Sequence, residues 1–210
     1  MKFIKIYGER NSGTIYLEWL VKKNLDAEIL ETYDVGWKHR LAPVSDELTE
    51  KIKKDVLFLC LVKNPYSWLL SMHKRPYFHE SLRELSFSDF IKYSYGDYRN
   101  PVIMWNLKNQ SYVDLSNFVE KHEIVRYEDI LKDPATIINS MADKYGFKKS
   151  IFFKNIQNLL TNKHGMKSRK FHKDFYIKEQ WRMKLRTNQI NHINEYLDED
   201  LMKKFNYSFV

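Results

Sequence analysis

The fold is decided by the first stretch of the chain, KFIKIYGERNSGTIYLEW, which covers residues 2–19. Its first part, up to Tyr7, alternates apolar and polar residues, which is typical of a strand. A turn framed by Gly8 and Gly13 follows, and apolar residues then return at helical spacing. A strand, a glycine-framed turn and a helix start form the layout of a phosphate-binding loop. In such a loop several backbone N–H groups and the positive end of a helix dipole face one anion.

The spacing of the two glycines matches the loop that binds nucleotide triphosphates, but two chemical residues of that loop are missing. Thr14 stands where its lysine belongs, and Ile15 stands where its magnesium-binding serine or threonine belongs. A reaction that depends on Mg-ATP is therefore disfavoured. An alternative stays open at this point, namely that the glycines serve only the backbone of an ordinary strand-to-helix turn.

Composition limits the classes of protein that the chain can form. Its 210 residues are 43% hydrophobic and 15% aromatic, so we expect one core and a single domain over residues 1–210. A net charge of +8 favours anionic partners, either a polyanion or a phosphorylated small molecule. The one cysteine, Cys60, excludes a disulfide framework or a zinc cluster and indicates a reducing compartment. No secretory leader pattern and no apolar run of membrane-spanning length is found, so we expect a cytoplasmic protein without a membrane span.

Two further strand ends carry residues suited to a site. Residues 28–33 predict a strand, and the loop after it contains His39 among aromatic and basic residues. Ligands bind at the carboxyl ends of strands in an open parallel sheet, and imidazole accepts a proton near neutral pH, so His39 is a candidate general base. The alternative is a histidine that only decorates the loop. Residues 56–62 are all apolar, as in a central strand buried on both faces, and Lys63 and Pro65 follow at a predicted helix start.

Most remaining elements are predicted to be helices. We expect a helix capped by Ser45, one beginning at Ser86, a long one beginning at Pro101, helices near residues 135–145 and 152–160, a closing helix at 188–205, and a short strand at 123–127. Residues 162–173 have no regular period and are rich in basic side chains, which is usually a solvated loop. The pattern predicts a three-layer α/β fold in which helices flank a central parallel sheet, with a P-loop-like nucleotide-binding architecture.

Four motifs, in this order, resemble those of the sulfotransferases that use 3'-phosphoadenosine 5'-phosphosulfate (PAPS). The segment Arg10-Asn11-Ser12-Gly13-Thr14 resembles the family's loop for the 5'-phosphosulfate. Lys63 and Ser71 have the spacing of an arginine and a serine that bind the 3'-phosphate. Tyr127, in the stretch RYED, resembles a tyrosine near the adenine, and Arg169-Lys170 resembles a basic loop that folds over the 3'-phosphate.

The resemblance implies an activity. It implies a sulfotransferase that moves a sulfuryl group from PAPS to a hydroxyl or amine of a carbohydrate or another small acceptor, in line and without a metal. His39 is then the candidate base, and Arg10 is the candidate that stabilises charge on the leaving phosphate. Two positions depart from the family: Asn11 replaces the basic residue before Ser-Gly-Thr, and Lys63 replaces an arginine, which keeps the charge but loses the bidentate fork.

Two other functions stay open on the sequence alone. One is a metal-dependent nucleotide or sugar kinase on the same architecture, which Thr14 and Ile15 disfavour. The other is a non-enzymatic protein that binds nucleic acid or another polyanion through its positive charge. No nucleic-acid-binding motif supports that function, so no nucleic acid partner is expected. If His39 is not the base, the alternatives are His73, His164 and Glu9.

Overall fold

The computed structural model describes residues 2–31, 35–76, 80–156, 158–160, 168–170 and 172–210. One parallel sheet contains β1 (Lys2–Tyr7), β2 (Ala27–Ile29), β3 (Val56–Val62) and β4 (Lys121–Arg126), in the order β2-β1-β3-β4. An antiparallel pair contains β5 (Asn158–Leu160) and β6 (Ser168–Lys170). The described helices are α1 (Thr14–Asn24), α2 (Glu50–Asp55), α3 (Pro65–Lys74), α4 (Phe87–Phe90), α5 (Pro101–Asp114), α6 (Tyr127–Lys132), α7 (Pro134–Tyr145), α8 (Lys173–Ile177), α9 (Thr187–Tyr196) and α10 (Glu199–Lys204).

Strand β3 is buried along its whole length, because helices cover both faces of the sheet. Leu57, Leu59 and Leu61 pack in one apolar cluster with α1 and α7. Phe58 and Cys60, which point to the other face, pack in a second cluster with α5. Each fully buried leucine or phenylalanine contributes about 1.5–3 kcal/mol to folding. The prediction of a central strand in a three-layer α/β fold is confirmed.

The strand order brings three loops together at the carboxyl edge of the sheet. The turn that contains Gly8 and Gly13 follows β1, Lys63 follows β3, and Tyr127 follows β4. The loop after β2, which contains His39, lies on the other side of β1. The turn after β1 therefore lies between the His39 loop and Lys63, at the edge where open parallel sheets bind ligands.

Two helix starts predicted from proline are confirmed, and each has an asparagine cap. The Asn64 side chain accepts a hydrogen bond from the N–H of Tyr66 at 3.1 Å, and Pro65 occupies the first helical position of α3. In the same way the Asn100 side chain accepts from the N–H of Ile103 at 2.9 Å before α5. Proline is suited to this position because its missing N–H would have no partner inside the helix. The Asn64 cap fixes the direction in which the chain leaves β3.

Two predicted helices are wrong in their starts or continuity. Ser45 does not cap a helix, because Ser45–Glu47 form a 3-10 turn and the Thr49 side chain instead accepts from the N–H of Ile52 at the start of α2. The closing helix is divided, because Leu197 is extended and the Asp198 side chain accepts from the N–H of Leu201 to begin α10. In both cases a second capping residue outcompetes continuation of the helix.

The remaining differences concern strands. The helix predicted at 152–160 is wrong, since the described residues 151–156 are irregular and Asn158–Leu160 form β5. The strand predicted at 123–127 is β4, which ends before Tyr127, and that residue begins α6. The strand predicted at 28–33 is Ala27–Ile29, and residues 32–34 lie outside the described residues. Across the described ranges, no helix combines the length and the apolar character that crossing a membrane would need.

Candidate anion and proton-transfer site

The turn between β1 and α1 has the backbone geometry of an anion site. Asn11 and Gly13 have positive φ values of 62° and 100°, so two left-handed residues direct the chain into α1. Gly13 is the N-cap and offers no side-chain hydrogen bond, so the N–H groups of Thr14 and Ile15 have no partner inside the helix. The N–H of Ser12 is bonded to the carbonyl of Glu9 at 3.1 Å. An anion would therefore meet the amides at the start of α1 rather than that of Ser12.

Both glycines of the turn are required by close contacts. A Cβ atom on Gly8 would lie 2.9 Å from the backbone oxygen of Leu61, and one on Gly13 would lie 2.4 Å from a ring carbon of Tyr127. Because real Cβ atoms do not approach this closely, only glycine fits at either position without displacement of its neighbours. The ring of Tyr127 thus lies directly against the turn.

Lys63 joins this turn to helix α3. Its Nζ donates to Ser71 Oγ at 3.0 Å and to the carbonyl of Asn11 at 3.1 Å. Ser71 Oγ in turn donates to the carbonyl of Ser67 at 2.9 Å. Lys63 is only 2% exposed, so its ammonium group is held in a fixed position beside the loop. The two residues predicted to bind a 3'-phosphate therefore meet in space.

Two tyrosine rings enclose the ammonium group of Lys63. Nζ lies 4.3 Å from the ring centroid of Tyr176 in α8 and 5.0 Å from that of Tyr127, and the two rings pack edge to face. Burial lowers the pKa of Lys63 to about 7, although the Glu128 carboxylate acts in the opposite direction. Cation–π contacts replace only part of the lost hydration. An anionic group that reached Lys63 would restore the stability of its charged form.

Glu128 and Tyr176 are site residues that the sequence analysis missed. Glu128 accepts hydrogen bonds from the N–H of Asn64 at 3.1 Å and from the hydroxyl of Tyr207 at 2.8 Å. Burial raises its pKa despite these bonds. The sequence did carry a signal for Glu128, because an acidic residue in the stretch RYED could have indicated a partner for Lys63. Tyr176 had no such signal, because it contacts Lys63 only through the tertiary fold.

His39 is anchored to the same turn. Its Nδ1 lies 2.5 Å from the carbonyl oxygen of Gly8, which can only accept, so Nδ1 carries the proton and Nε2 carries the lone pair. Burial lowers the pKa of His39 to about 4, and the cations Lys38, Arg10 and Lys108 act in the same direction. The imidazole is therefore neutral at neutral pH.

Other contacts also hold the His39 loop in place. The guanidinium of Arg40, in the same loop, is paired with Glu47. The ring of Trp37 packs edge-on against His39, with centroids 5.0 Å apart, and is 42% exposed. Gly8 also donates its N–H to the carbonyl of Lys38 at 3.0 Å. Both backbone groups of Gly8 thus fix the loop that contains His39.

A buried ion pair underlies these contacts. Glu9 Oε2 lies 2.5 Å from Nζ of Lys108 in α5, and both side chains are less than a tenth exposed. Glu9 Oε1 also accepts the N–H of Arg10 at 2.6 Å, and Lys108 donates to the carbonyl of His39. Lys108 was not predicted from the sequence, although its helical spacing from the buried residues Met104 and Tyr112 was the available signal.

The other predicted residues are placed as follows. The Asn11 amide donates to the carbonyl of Arg75 at 3.2 Å, so it braces the turn against the end of α3. The guanidinium of Arg10 lies close enough to His39 to lower the pKa of that imidazole. The backbones of Arg169 and Lys170 belong to β6, and their side chains lie outside the description.

The alternative bases are less suited by their contacts. His73 Nε2 lies 2.7 Å from the carbonyl oxygen of Leu85, and its ring packs against Phe87 and Phe90, so its contacts are with the segment around α4 and not with the turn between β1 and α1. The Glu9 carboxylate is engaged by Lys108 and by the N–H of Arg10. His164 lies outside the described residues. Within the described part of the chain, no group of three or more His, Cys, Asp or Glu side chains is arranged to hold a metal ion.

No family model matches the chain, and no curated protein matches its sequence. Among solved structures, that of mouse sulfotransferase SULT7A1 complexed with PAP matches with a TM-score of 0.61 at 15% identity, over 98% of this chain and 89% of that chain. The chain has the sulfotransferase fold. The resemblance found in the sequence is thereby confirmed at the level of the fold.

Two further matches are to sulfotransferases of lower structural similarity. The sulfotransferase domain from the curacin biosynthetic pathway has a TM-score of 0.43 at 17% identity, over 79% of this chain and 57% of that chain. A sulfotransferase from Alicyclobacillus acidocaldarius has a TM-score of 0.48 at 13% identity, over 97% of this chain and 99% of that chain. The sulfotransferase fold is assigned from the similarity to the SULT7A1 structure.

Proposed function

We propose that the protein is a PAPS-dependent sulfotransferase that transfers a sulfuryl group to a hydroxyl or amine of a carbohydrate or another small acceptor. One observation carries the proposal: the turn at the end of β1 lies between Lys63 with Ser71 on one side and a neutral, anchored His39 on the other. That arrangement supplies a cation for a phosphate and a base for an acceptor at the two sides of one anion-binding turn.

The nucleotide half of the site would use groups that still lack an anionic partner. The amides of Thr14 and Ile15 face outward from the helix start and would hold the 5'-phosphosulfate. Lys63 and Ser71 would hold the 3'-phosphate, which would compensate the burial that lowers the pKa of Lys63 to about 7. Tyr127 would contact the adenine. SULT7A1 was crystallised with PAP, which supports a nucleotide of this kind for a chain of the same fold.

Arg169 and Lys170 are proposed as additional cations for the 3'-phosphate on the strength of the sequence motif alone. Their strand, β6, precedes α8, and Tyr176 of α8 already contacts Lys63. A basic segment connected directly to that contact is suited to closing over the nucleotide. The cytoplasmic location and the single domain over residues 1–210 likewise stay predictions.

Bound PAPS would supply a sulfuryl group that is already activated by its phosphate anhydride. His39 Nε2 would take the proton of the acceptor hydroxyl or amine as the new bond to sulfur forms. The bond between sulfur and the bridging oxygen breaks, and its electron pair stays on the departing phosphate. Arg10 would stabilise the charge that develops there. The turn between β1 and α1, residues 8–13, which we call the phosphate turn, would keep the reacting atoms in line.

A binding competition tests this function against its two rivals. The protein is applied to immobilised adenosine 3',5'-bisphosphate, and elution is attempted with the free bisphosphate, with ATP-Mg or with single-stranded RNA. A sulfotransferase should be eluted by the bisphosphate at concentrations at which the other two are ineffective. Preferential elution by ATP-Mg would support a kinase, and preferential elution by RNA would support a nucleic-acid-binding protein. Incubation of PAPS with an acceptor panel, read by mass spectrometry, then identifies the acceptor class.

A further inference from the structure

Lys108 makes contacts with both loops of the candidate site. Its ammonium group is paired with Glu9 in the phosphate turn and donates to the backbone carbonyl of His39 in the loop after β2. The residue belongs to α5, a 14-residue helix that packs against the sheet, and it is only 7% exposed. One side chain from a rigid element therefore connects the anion-binding turn to the loop that contains the base.

Stability alone is a weak reason to bury such a pair. Removing two charges from water costs several kcal/mol per ion, and well-packed apolar residues are often as stable in the same place. The second contact of Lys108 gives the pair a geometric use, because the carbonyl that it binds belongs to His39 itself. The His39 ring is held at its other end by Gly8, which is adjacent to Glu9 in the turn. The ring and its own backbone are thus tied to neighbouring residues of one turn.

We infer that Lys108 is a positioning residue, which holds the His39 loop against the phosphate turn so that Nδ1 stays bonded to Gly8 and Nε2 stays available to take a proton. The inference rests on the proposed function for the role of His39. Lys108 touches neither the acceptor nor the nucleotide in this scheme. It fixes the tautomer and the place of the base relative to the turn that would hold the donor.

Several charged groups face His39, and the test has to separate their effect on its pKa from the effect of the bridge, by which we mean the contacts of Lys108 with Glu9 and with the His39 carbonyl. Lys38 lies on its own loop and is paired with Glu18, Arg10 lies in the turn, and Lys108 with Glu9 approaches from α5 and the turn. Removing Lys108 alone changes the electric field as well as the geometry. Removing Lys108 and Glu9 together deletes opposite charges, so the field changes far less while the bridge is lost.

The experiment uses the full chain labelled with ¹⁵N-histidine, and NMR records the shifts of the ring nitrogens of His39 across a pH titration. In the wild type we expect one tautomer, with the proton on Nδ1, and a pKa of about 4. In Glu9→Gln/Lys108→Met we expect mixed tautomers and a pKa that moves upward by at least about one unit toward the ordinary 6.5. Two controls keep the contacts of Lys108 with the turn and with the His39 carbonyl: Glu9→Gln removes the negative charge but leaves an amide oxygen that can accept from Lys108, and Lys38→Met removes a cation.

We expect both controls to retain the tautomer with the proton on Nδ1. In Lys38→Met we expect the His39 pKa to rise without a change of tautomer. An unchanged tautomer and pKa in the double variant would overturn the inference, since Lys108 would then only neutralise Glu9. An equal loss of the tautomer in Glu9→Gln would overturn it as well. Thermal unfolding is measured first, and Glu9→Gln/Lys108→Leu, which also deletes both charges and the donor, replaces the double variant if that variant does not fold. Because no readout needs nucleotide or acceptor, a failure here is distinct from a failure of the proposed function.

Discussion

Lys63 and Ser71, eight positions apart in the sequence, meet with Nζ 3.0 Å from Oγ. Lys63 is the last residue but one before α3, and Ser71 lies two turns inside that helix. Side chains in a helix point back toward its N-terminus, so the hydroxyl of Ser71 is directed to the end from which Lys63 approaches. The spacing of the motif is therefore a consequence of a strand that passes directly into a proline-started helix.

We expect Lys63→Ala to weaken the binding of adenosine 3',5'-bisphosphate about 10- to 150-fold, because a charge-assisted contact is worth about 1.5–3 kcal/mol. The affinity for adenosine 5'-phosphate, which lacks the 3' group, should change little. Titration calorimetry with both ligands measures the difference. Ser71→Ala is the matched control, and it should cost only the about 0.5–1.5 kcal/mol of a neutral hydrogen bond. Equal weakening of both nucleotides by Lys63→Ala would remove Lys63 from the 3'-phosphate site.

The pH dependence of nucleotide affinity should also depend on Lys63. Its pKa is about 7 without ligand, and a bound phosphate raises it because the opposite charge favours the ammonium form. Binding is then strongest below about pH 7 and weakens as pH rises above it. In Lys63→Arg the guanidinium stays charged, so the alkaline decline should disappear. The nucleotide's own titration is common to both proteins and cancels in the comparison. Parallel profiles for the two proteins would show that Lys63 does not titrate in this range.

The contact between Gly13 and Tyr127 predicts a measurable loss of stability. Gly13→Ala places a Cβ 2.4 Å from the ring of Tyr127 at a φ of 100°, so both a clash and a left-handed residue are imposed. Gly96→Ala is the control, because its φ is also positive, at 58°, and no heavy atom lies within 4 Å of its Cβ. Both variants should lose the about 1–2 kcal/mol of left-handed strain. Gly13→Ala should lose a further 1–3 kcal/mol, about the cost of overpacking, in urea unfolding. Equal losses of stability in the two variants would mean that the Tyr127 ring moves aside without an energetic cost.

Local signals in the sequence were enough to predict the parts of the site that follow strands. Neighbouring residues are enough to indicate the structure of three segments. These are the apolar run of β3, the proline that begins α3 and the glycine-framed turn at residues 8–13. The resemblance implied that Lys63 and Ser71 bind one 3'-phosphate, and the two side chains lie in contact with each other. The chemical roles of these side chains stay predictions, because geometry alone does not measure binding or turnover.

Long-range contacts were the part that the sequence could not supply. Lys108 lies 99 positions from Glu9 and Tyr176 lies 113 positions from Lys63, so no local period relates them. Capping residues also competed: Thr49 and Asp198 begin helices inside segments whose apolar spacing suggested one continuous helix. Near residues 152–160 the apolar spacing was that of a helix, but Asn158–Leu160 pair with β6 instead. In each case a partner distant in sequence, or a second cap, decided the outcome.

The last prediction concerns His39 as the general base. His39→Asn keeps a side-chain N–H that can donate to the carbonyl of Gly8, but it removes the nitrogen lone pair that would take the acceptor proton. With an acceptor in hand, we expect turnover to fall by about 10²–10⁴-fold while nucleotide affinity stays nearly unchanged. On the acid side of neutrality the wild-type kcat/KM should stay constant down to about pH 5 and should fall as pH drops through the His39 pKa of about 4, because protonation there removes the base. His73→Asn is the matched control, and it should stay within a few-fold of wild type because His73 contacts Leu85, Phe87 and Phe90 rather than the turn between β1 and α1. If His39→Asn keeps wild-type turnover and His73→Asn loses it, the base lies on α3 and the scheme in which Gly8 anchors the base is wrong.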